Sequence, residues 1–276
     1  MQNSPVSQMV SNELYISNSQ INTYLNCSLH YQLQYVEQIP PERISIALPF
    51  GSAIHAAVEF YFRSLKNNGR IEPLEALWLR FEDCLCFDLD NIDGPVIYKR
   101  DMPDRVSALE MGKKMLEAYY NSVDLADTEI IDVELPLSAT LYTDAGEATE
   151  YKLFGVLDHI LRYSSGEIVV VDVKTAARAI SQSMADDDSQ MTAYSYLVAA
   201  NHFVPAKSDV QCRFDVLRKL KHPRFEQLST VRTPFHRKRF AKMANQVLTA
   251  VSERIFFPRP SWRCADCGYQ SACSAW

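Results

Sequence analysis

Two groups of residues in the 276-residue sequence have the types and spacing to do chemistry. The first combines two carboxylates with an ammonium. Val169-Val170-Val171-Asp172-Val173-Lys174 is an apolar, β-branched run, and a period of two sets Asp172 and Lys174 on one face of a strand. Gly155-Val156-Leu157-Asp158 belongs to the run before it, joined through the turn residues Ser164-Ser165-Gly166. Two aspartates and a lysine converging at strand ends suit Mg²⁺ or Mn²⁺ held by oxygen, the lysine orienting water or stabilising charge on a phosphate. An Asp-x-Lys triplet alone serves equally well as an ordinary cross-strand ion pair. Gln190 and Tyr194 lie at i and i+4 on the helix expected after that strand. His55 stands among Ile54, Ala56, Ala57 and Val58, as a satisfied core histidine or as a nitrogen ligand for Mn²⁺.

The second group is made of thiols. Cys264, Cys267 and Cys273 form a C-x2-C-x5-C array, and thiolates so close in sequence normally share a metal. The spacing is not that of ferredoxins, and a tetrahedral ion or a cubane needs a fourth ligand. Cys27 is the first choice; zinc with His30 replacing one cysteine is the alternative. Cys84, Cys86 and Cys212 read as packing thiols. Seven cysteines in a chain of this length exclude a fully paired disulfide framework.

Charge is unevenly spread. The net charge of -6 argues against nucleic acid as a whole-chain number. Residues 213–242, however, hold ten Lys or Arg against two acids, a net +8. Lys219, Lys221, Arg224, Arg237, Lys238 and Arg239, interleaved with His222, Phe225 and Phe235, suit phosphate contacts with some base stacking. With 47% hydrophobic and 22% charged residues the chain can build a core, which excludes wholesale disorder. No apolar run approaches the ~20 residues that span a bilayer. No basic-then-apolar leader opens the sequence, so a cytoplasmic location is expected.

Positioning these residues requires particular elements. Apolar spacing predicts helices over residues 21–35, 53–65, 73–87, 105–122, 188–200 and 237–255. Alternation predicts strands over 129–137, 152–163, 167–174 and 208–217, the first three antiparallel. The expected organisation is a flexible stretch over residues 1–13 and then one domain. Its parts are a helical portion (14–125), a sheet core (126–235) and a C-terminal helix with the cysteine tail (236–276).

His55, Gly155-x-x-Asp158, Asp172-x-Lys174 and Gln190-x-x-x-Tyr194, in that order, resemble the PD-(D/E)XK nucleases of the RecB type. The single cysteine ahead of those motifs and three behind resemble the iron–sulfur branch, which includes AddB-type and CRISPR-associated RecB-like nucleases. The resemblance implies an α/β, restriction-endonuclease-like core: a mixed central sheet flanked by helices, with the cysteine tail closing onto the N-terminal helix. It implies a metal held by His55, Asp158, Asp172 and the backbone carbonyl of Val173. Lys174 is then the catalytic lysine, Gln190 and Tyr194 position the lysine or the strand, and Glu134 supports the site. Cys27, Cys264, Cys267 and Cys273 would bind [4Fe–4S]. The implied activity is metal-dependent DNA exonuclease action on single strands or ends. Two other classes remain in view: a non-catalytic DNA-end or protein-binding module, and an RNA-processing nuclease. There is no G-x-x-x-x-G-K-[ST] loop, so unwinding falls to a partner: a helicase, a recombinase or a CRISPR adaptation protein.

Overall fold

In a computed structural model describing residues 14–276, a six-stranded mixed sheet is flanked by helices. Strand β1 (Tyr15–Ser17) leads into helix α1 (Asn18–Asn26), then α2 (Ser28–Tyr31) and a π-helical turn (Gln32–Val36). A two-stranded ladder, β2 (Ile44–Ser45) with β3 (Val96–Ile97), brackets α3 (Ala47–Asn68) and α4 (Leu74–Asp90). Helix α5 (Arg105–Tyr120) precedes β4 (Thr128–Tyr142), β5 (Ala148–Tyr163) and β6 (Ile168–Ala176). Helices α6 (Gln182–Asp186) and α7 (Ser189–Ala200) cross over to β7 (Val210–Arg218), which turns into β8 (Arg224–Arg232). Helix α8 (Pro234–Ser252), a 3₁₀ turn (Trp262–Asp266) and α9 (Gln270–Ser274) complete the order. The stretch expected to be flexible, residues 1–13, lies outside the described residues.

The sheet is built so that one edge of β5 opens. β4 and β6 both run antiparallel to β5, while β7 lies parallel to β6 and β8 antiparallel to β7. β1 pairs with residues 152–154 of β5, and β6 pairs with residues 159–162 on the same side. Residues 155–158 are left between these two partners, and there the strands splay. The parallel β6–β7 pair needs a crossover, which α6 and α7 supply.

Strand β6 is covered on both faces, which is why its sequence reads as a continuous apolar run. On one face Val170 packs with Leu157, Phe214 and Leu197 and with Phe240 of α8. On the other, Val169, Val171 and Val173 meet Phe50, Ile54 and Phe62 of α3, joined by Phe81. Full burial of each such side chain contributes about 1.5–3 kcal/mol. Helix α5 can lie against α4 only because residue 112 is glycine: a Cβ there would stand 2.0 Å from the Phe81 ring. A third, small core of Leu29, Leu33 and Tyr269 joins α2 to the cysteine tail.

The portion read as helical, residues 14–125, also holds strands β1, β2 and β3, of which β1 joins the main sheet beside β5. Three further elements depart from the sequence expectation. The helix expected over residues 21–35 breaks at Cys27, whose extended backbone (φ -163, ψ 105) separates α1 from α2. Residues 224–232, read only as part of a basic strip, form strand β8. The last helix starts at Pro234, not residue 237, because Thr233 caps it and proline fits the first helical position. No helix among the described residues is long and apolar enough to cross a membrane.

Candidate active site

The splay between β5 and β6 turns Asp158 toward β6, where its Oδ2 accepts the Val173 N–H at 2.7 Å. His55, on the third turn of α3 facing the sheet, brings Nδ1 to 3.3 Å from the same oxygen. Opposite Asp158 in the β4–β5 register stands Glu134, between the paired residues Val133 and Leu135. Its φ of 51 is a left-handed conformation rare for a side-chain-bearing residue and costly inside a strand. Donor atoms of His55, Glu134 and Asp158 all lie within 4.8 Å of one another, the one such group among the described residues.

Asp172 and Lys174 complete the arrangement from β6. Asp172 is fully buried, and Lys174 Nζ sits 2.8 Å from its Oδ2. Beyond that ion pair, among the described residues no N–H or O–H is aimed at either oxygen of Asp172. A buried carboxylate so placed carries a desolvation cost that a cation would offset. Lys174 Nζ also donates to Gln190 Oε1 at 2.6 Å, and Gln190 Nε2 donates to the Tyr194 hydroxyl at 2.7 Å. All five residues named for catalysis, with His55 and Glu134, therefore converge.

Electrostatics mark the site as one that waits for positive charge. Burial, then Asp158, Glu59 and Asp172, push the Glu134 carboxyl up to about 8. Burial and Asp172 raise Asp158 to about 6, against the pull of His55 and the Val173 N–H. Burial alone works against the charge on Lys174, but Asp172 beside it more than compensates and holds its pKa above the ordinary lysine value. Burial, Asp172 and Asp158 keep the Tyr194 hydroxyl protonated, far above its usual range. Neighbouring His159 belongs elsewhere: it packs on Phe62 with ring centroids 3.9 Å apart, and burial drops its pKa to about 3.

The helix carrying Gln190 and Tyr194 is fixed on two sides. Asp188 caps its first turn, and Arg232, almost wholly buried, donates to the carbonyls of Ala185 and Asp188 and to Thr192 Oγ1. Gly155 allows β5 to approach: a Cβ there would lie 2.9 Å from Leu197 and 3.4 Å from the Tyr194 ring. The glycine of the Gly155-x-x-Asp158 run is thus a clearance for α7, a role the sequence did not reveal. Glu134 enters from the resemblance alone, since nothing in its neighbours' pattern betrays a positive φ.

The four cysteines proposed as ligands line one cavity of about 370 Å³, formed by α1, α2 and the tail. Burial, with lesser effects from the neighbouring sulfurs, raises the Cys267 and Cys273 pKa values. His30 lines the same cavity, its ring tilted against Tyr269 with centroids 4.9 Å apart. Cys212 is buried beneath α7, and Cys84 packs against the α3–α5 core.

The basic strip needs correction. Arg237, expected at phosphate, is buried; its guanidinium donates to Ser195 Oγ at 3.1 Å and to the carbonyls of Arg232, Ala206 and Ser208. Arg213 and Arg218 are likewise committed to Asp215 and Glu226. Lys219 lies over the Phe50 ring, 5.3 Å from its centroid. Lys221, Arg224, Lys238 and Arg239 remain exposed.

A mixed sheet whose splayed central strands gather carboxylates, a lysine and an imidazole is the architecture of a metal-assisted hydrolase. The family model described as the PD-(D/E)XK nuclease superfamily matches residues 15–274, and the chain belongs to that superfamily. It is a nuclease by family, and such nucleases usually use divalent metals. Among solved structures, the chain is similar to the "Putative exonuclease" from Eubacterium rectale, with a TM-score of 0.56 and 13% identity. That match covers 100% of this chain and 93% of the other, and at this identity it shows a shared fold. A second structure, that of SSO0001, aligns over 90% of this chain and 95% of its own at 14% identity, but with a TM-score of only 0.38. No curated protein matches the sequence.

Proposed function

We propose that the protein is a divalent-metal-dependent DNA exonuclease acting on single strands or DNA ends, with a structural [4Fe–4S] cluster in its cysteine cavity. The observation that carries the nuclease reading is the buried Asp172 carboxylate, short of donors and paired with Lys174 beside the His55–Glu134–Asp158 group. Those donors fit Mg²⁺ or, with the imidazole, Mn²⁺. His55, Asp158 and Asp172 would hold the ion, with the Val173 carbonyl as the proposed backbone ligand. Glu134 joins them from β4. Once bound, a divalent cation lowers the pKa of water and screens the phosphate.

The chain's own groups do the rest. Lys174 stabilises the negative charge that develops on the phosphate during in-line attack. Gln190 holds the ammonium in place, and Tyr194, kept protonated, holds Gln190. Glu134 and Asp158 release protons as the cation arrives, so metal affinity rises with pH.

The iron–sulfur reading rests on four thiols around one cavity and on their spacing. Tetrahedral zinc with Zn–S of about 2.3 Å draws sulfurs to about 3.8 Å from one another. No three of these sulfurs lie within 4.8 Å of one another among the described residues. A cubane is larger than one ion and suits the wider set. Anaerobically purified protein should contain iron and absorb near ~400 nm; absence of both would refute the cluster.

Labelled single-stranded DNA, duplex DNA and RNA, digested side by side with Mn²⁺, test the substrate. DNA degraded from ends supports the proposal. RNA cleavage alone would move the protein to RNA processing, and no cleavage at all would leave a binding module. A cytoplasmic setting with a helicase, recombinase or CRISPR adaptation partner fits a nuclease without a P-loop.

A further inference from the structure

We propose that residues 254–263 form a second contact surface for a single DNA strand, on which a base stacks over Trp262 at a distance from the metal centre. This rests on the DNA reading above and names the form of DNA. The segment Arg254-Ile255-Phe256-Phe257-Pro258-Arg259-Pro260-Ser261-Trp262-Arg263 carries three arginines and no acid, although Glu253 and Asp266 flank it. Trp262 is 72% exposed and Phe257 51%, and the Arg263 guanidinium lies 4.8 Å from the Trp262 ring centroid. Aromatic faces with arginines and without base-reading groups are the equipment of sequence-tolerant single-strand binding.

The platform is preorganised. The Ile255 carbonyl accepts the Tyr24 hydroxyl at 2.7 Å, the Phe257 carbonyl accepts the Leu29 N–H at 3.1 Å, and Arg259 donates to the Leu25 carbonyl at 2.7 Å. A strand bound there loses little to ordering the protein.

Cationic groups connect the platform to the metal centre. The 3₁₀ turn that starts at Trp262 ends at Asp266, which is paired with Lys99. Lys219, which feels the opposing charges of Asp101 and Lys99, rests its ammonium on Phe50 with no carboxylate at ion-pair distance among the described residues. The Lys219 N–H donates to the Ala176 carbonyl at 2.9 Å, two residues past Lys174. A strand leaving the site can thus pass Lys219 and Lys99 before reaching Trp262.

Binding of short and long oligothymidylates to Lys174→Ala protein, which leaves the strand intact, tests this, with wild-type cleavage measured in parallel. Trp262→Ala should weaken the long strand about tenfold and spare the short one, and Trp262→Phe should restore most of the loss. In the cleavage-competent protein the penalty should fall on KM for long strands, not on kcat. Arg263→Ala should also lower the salt dependence by somewhat under one unit of slope. Unchanged affinity of Trp262→Ala for the long strand overturns the proposal, as does an equal loss on both lengths, which would mark damage to the fold. If wild type cleaves DNA and Trp262 is indifferent, only this inference falls. If wild type neither binds nor cleaves DNA, the function proposed above falls with it.

Discussion

The carboxylate centre and the cysteine centre are held by opposite means. Around Asp158, Asp172 and Lys174 the fold comes first: β5 and β6 are anchored by two large cores, and the splay between them follows from which residues of β5 find partners. Like charges are packed there at a cost that the surrounding sheet carries. Around Cys27, Cys264, Cys267 and Cys273 the apolar core is three residues, Leu29, Leu33 and Tyr269, and Cys264 is exposed. Hydrogen bonds help, among them the Glu42 carboxylate accepting from Ser271 and Arg43 donating to the Cys267 carbonyl. So small a core does not fix four thiols by packing alone. In the first region protein structure makes a metal site, and in the second a metal cluster would make protein structure.

The sharpest test of the first half is Lys174→Ala, expected to lower kcat by about 10²–10³-fold or more. Folded content and iron content should stay as in wild type. Retained cleavage would show that the ammonium is only a partner for Asp172. Cys267→Ser tests the second half: the tail beyond α8 should become open to limited proteolysis and the melting temperature should fall by several degrees. Mn²⁺ affinity at the carboxylates, by titration calorimetry, should be kept. If affinity falls in step with tail order, the two centres are one cooperative unit and the contrast fails.

A smaller effect follows from the raised carboxyls. An unfolded Asp or Glu releases its proton near pH 4. In the metal-free fold Asp158 keeps its proton to about 6 and Glu134 to about 8. The folded state therefore binds more protons through that window, and its stability declines as pH rises from about 4 to 8. Melting temperatures in chelator should drop by a few degrees over this range, and Mn²⁺ should flatten or reverse the trend. Glu134→Gln should remove the part of the slope above pH 6. A chelated protein whose stability is flat with pH would mean that the carboxylates already have compensating charge.

Sequence patterning carried the site further than it carried the fold around it. Asp158, Asp172, Lys174, Gln190 and Tyr194 were legible because period two and i, i+4 spacing fix which side chains share a face. Their elements appear within a few residues of expectation. Glu134 was reached only through the family resemblance, because the left-handed backbone in β4 that aims it at the site is imposed by tertiary pairing. The break at Cys27 was hidden by an apolar spacing that continues across it. The largest misreading concerned charge. A count along residues 213–242 cannot separate a guanidinium facing solvent from one closing off buried carbonyls or carboxylates. Arg213, Arg218, Arg232 and Arg237 are all of the second kind.

That distinction gives the last and smallest test, which carries the same contrast into the basic strip. Arg237 is held by the fold, donating to Ser195 and three carbonyls that would be left without it. Arg237→Ala should cost about 2–4 kcal/mol of stability, read by denaturant midpoint. Lys238 and Arg239 are next to it in sequence but exposed on α8, so their replacement should leave the midpoint within about 0.5 kcal/mol. If the strip meets DNA at all, it does so through such exposed charges. Lys238→Ala with Arg239→Ala should then weaken binding modestly and reduce the salt slope by at most about one for each phosphate that these side chains neutralise. An unchanged slope would remove α8 from the DNA surface, leaving Lys221, Arg224 and the arginines around Trp262 as the cations to test next.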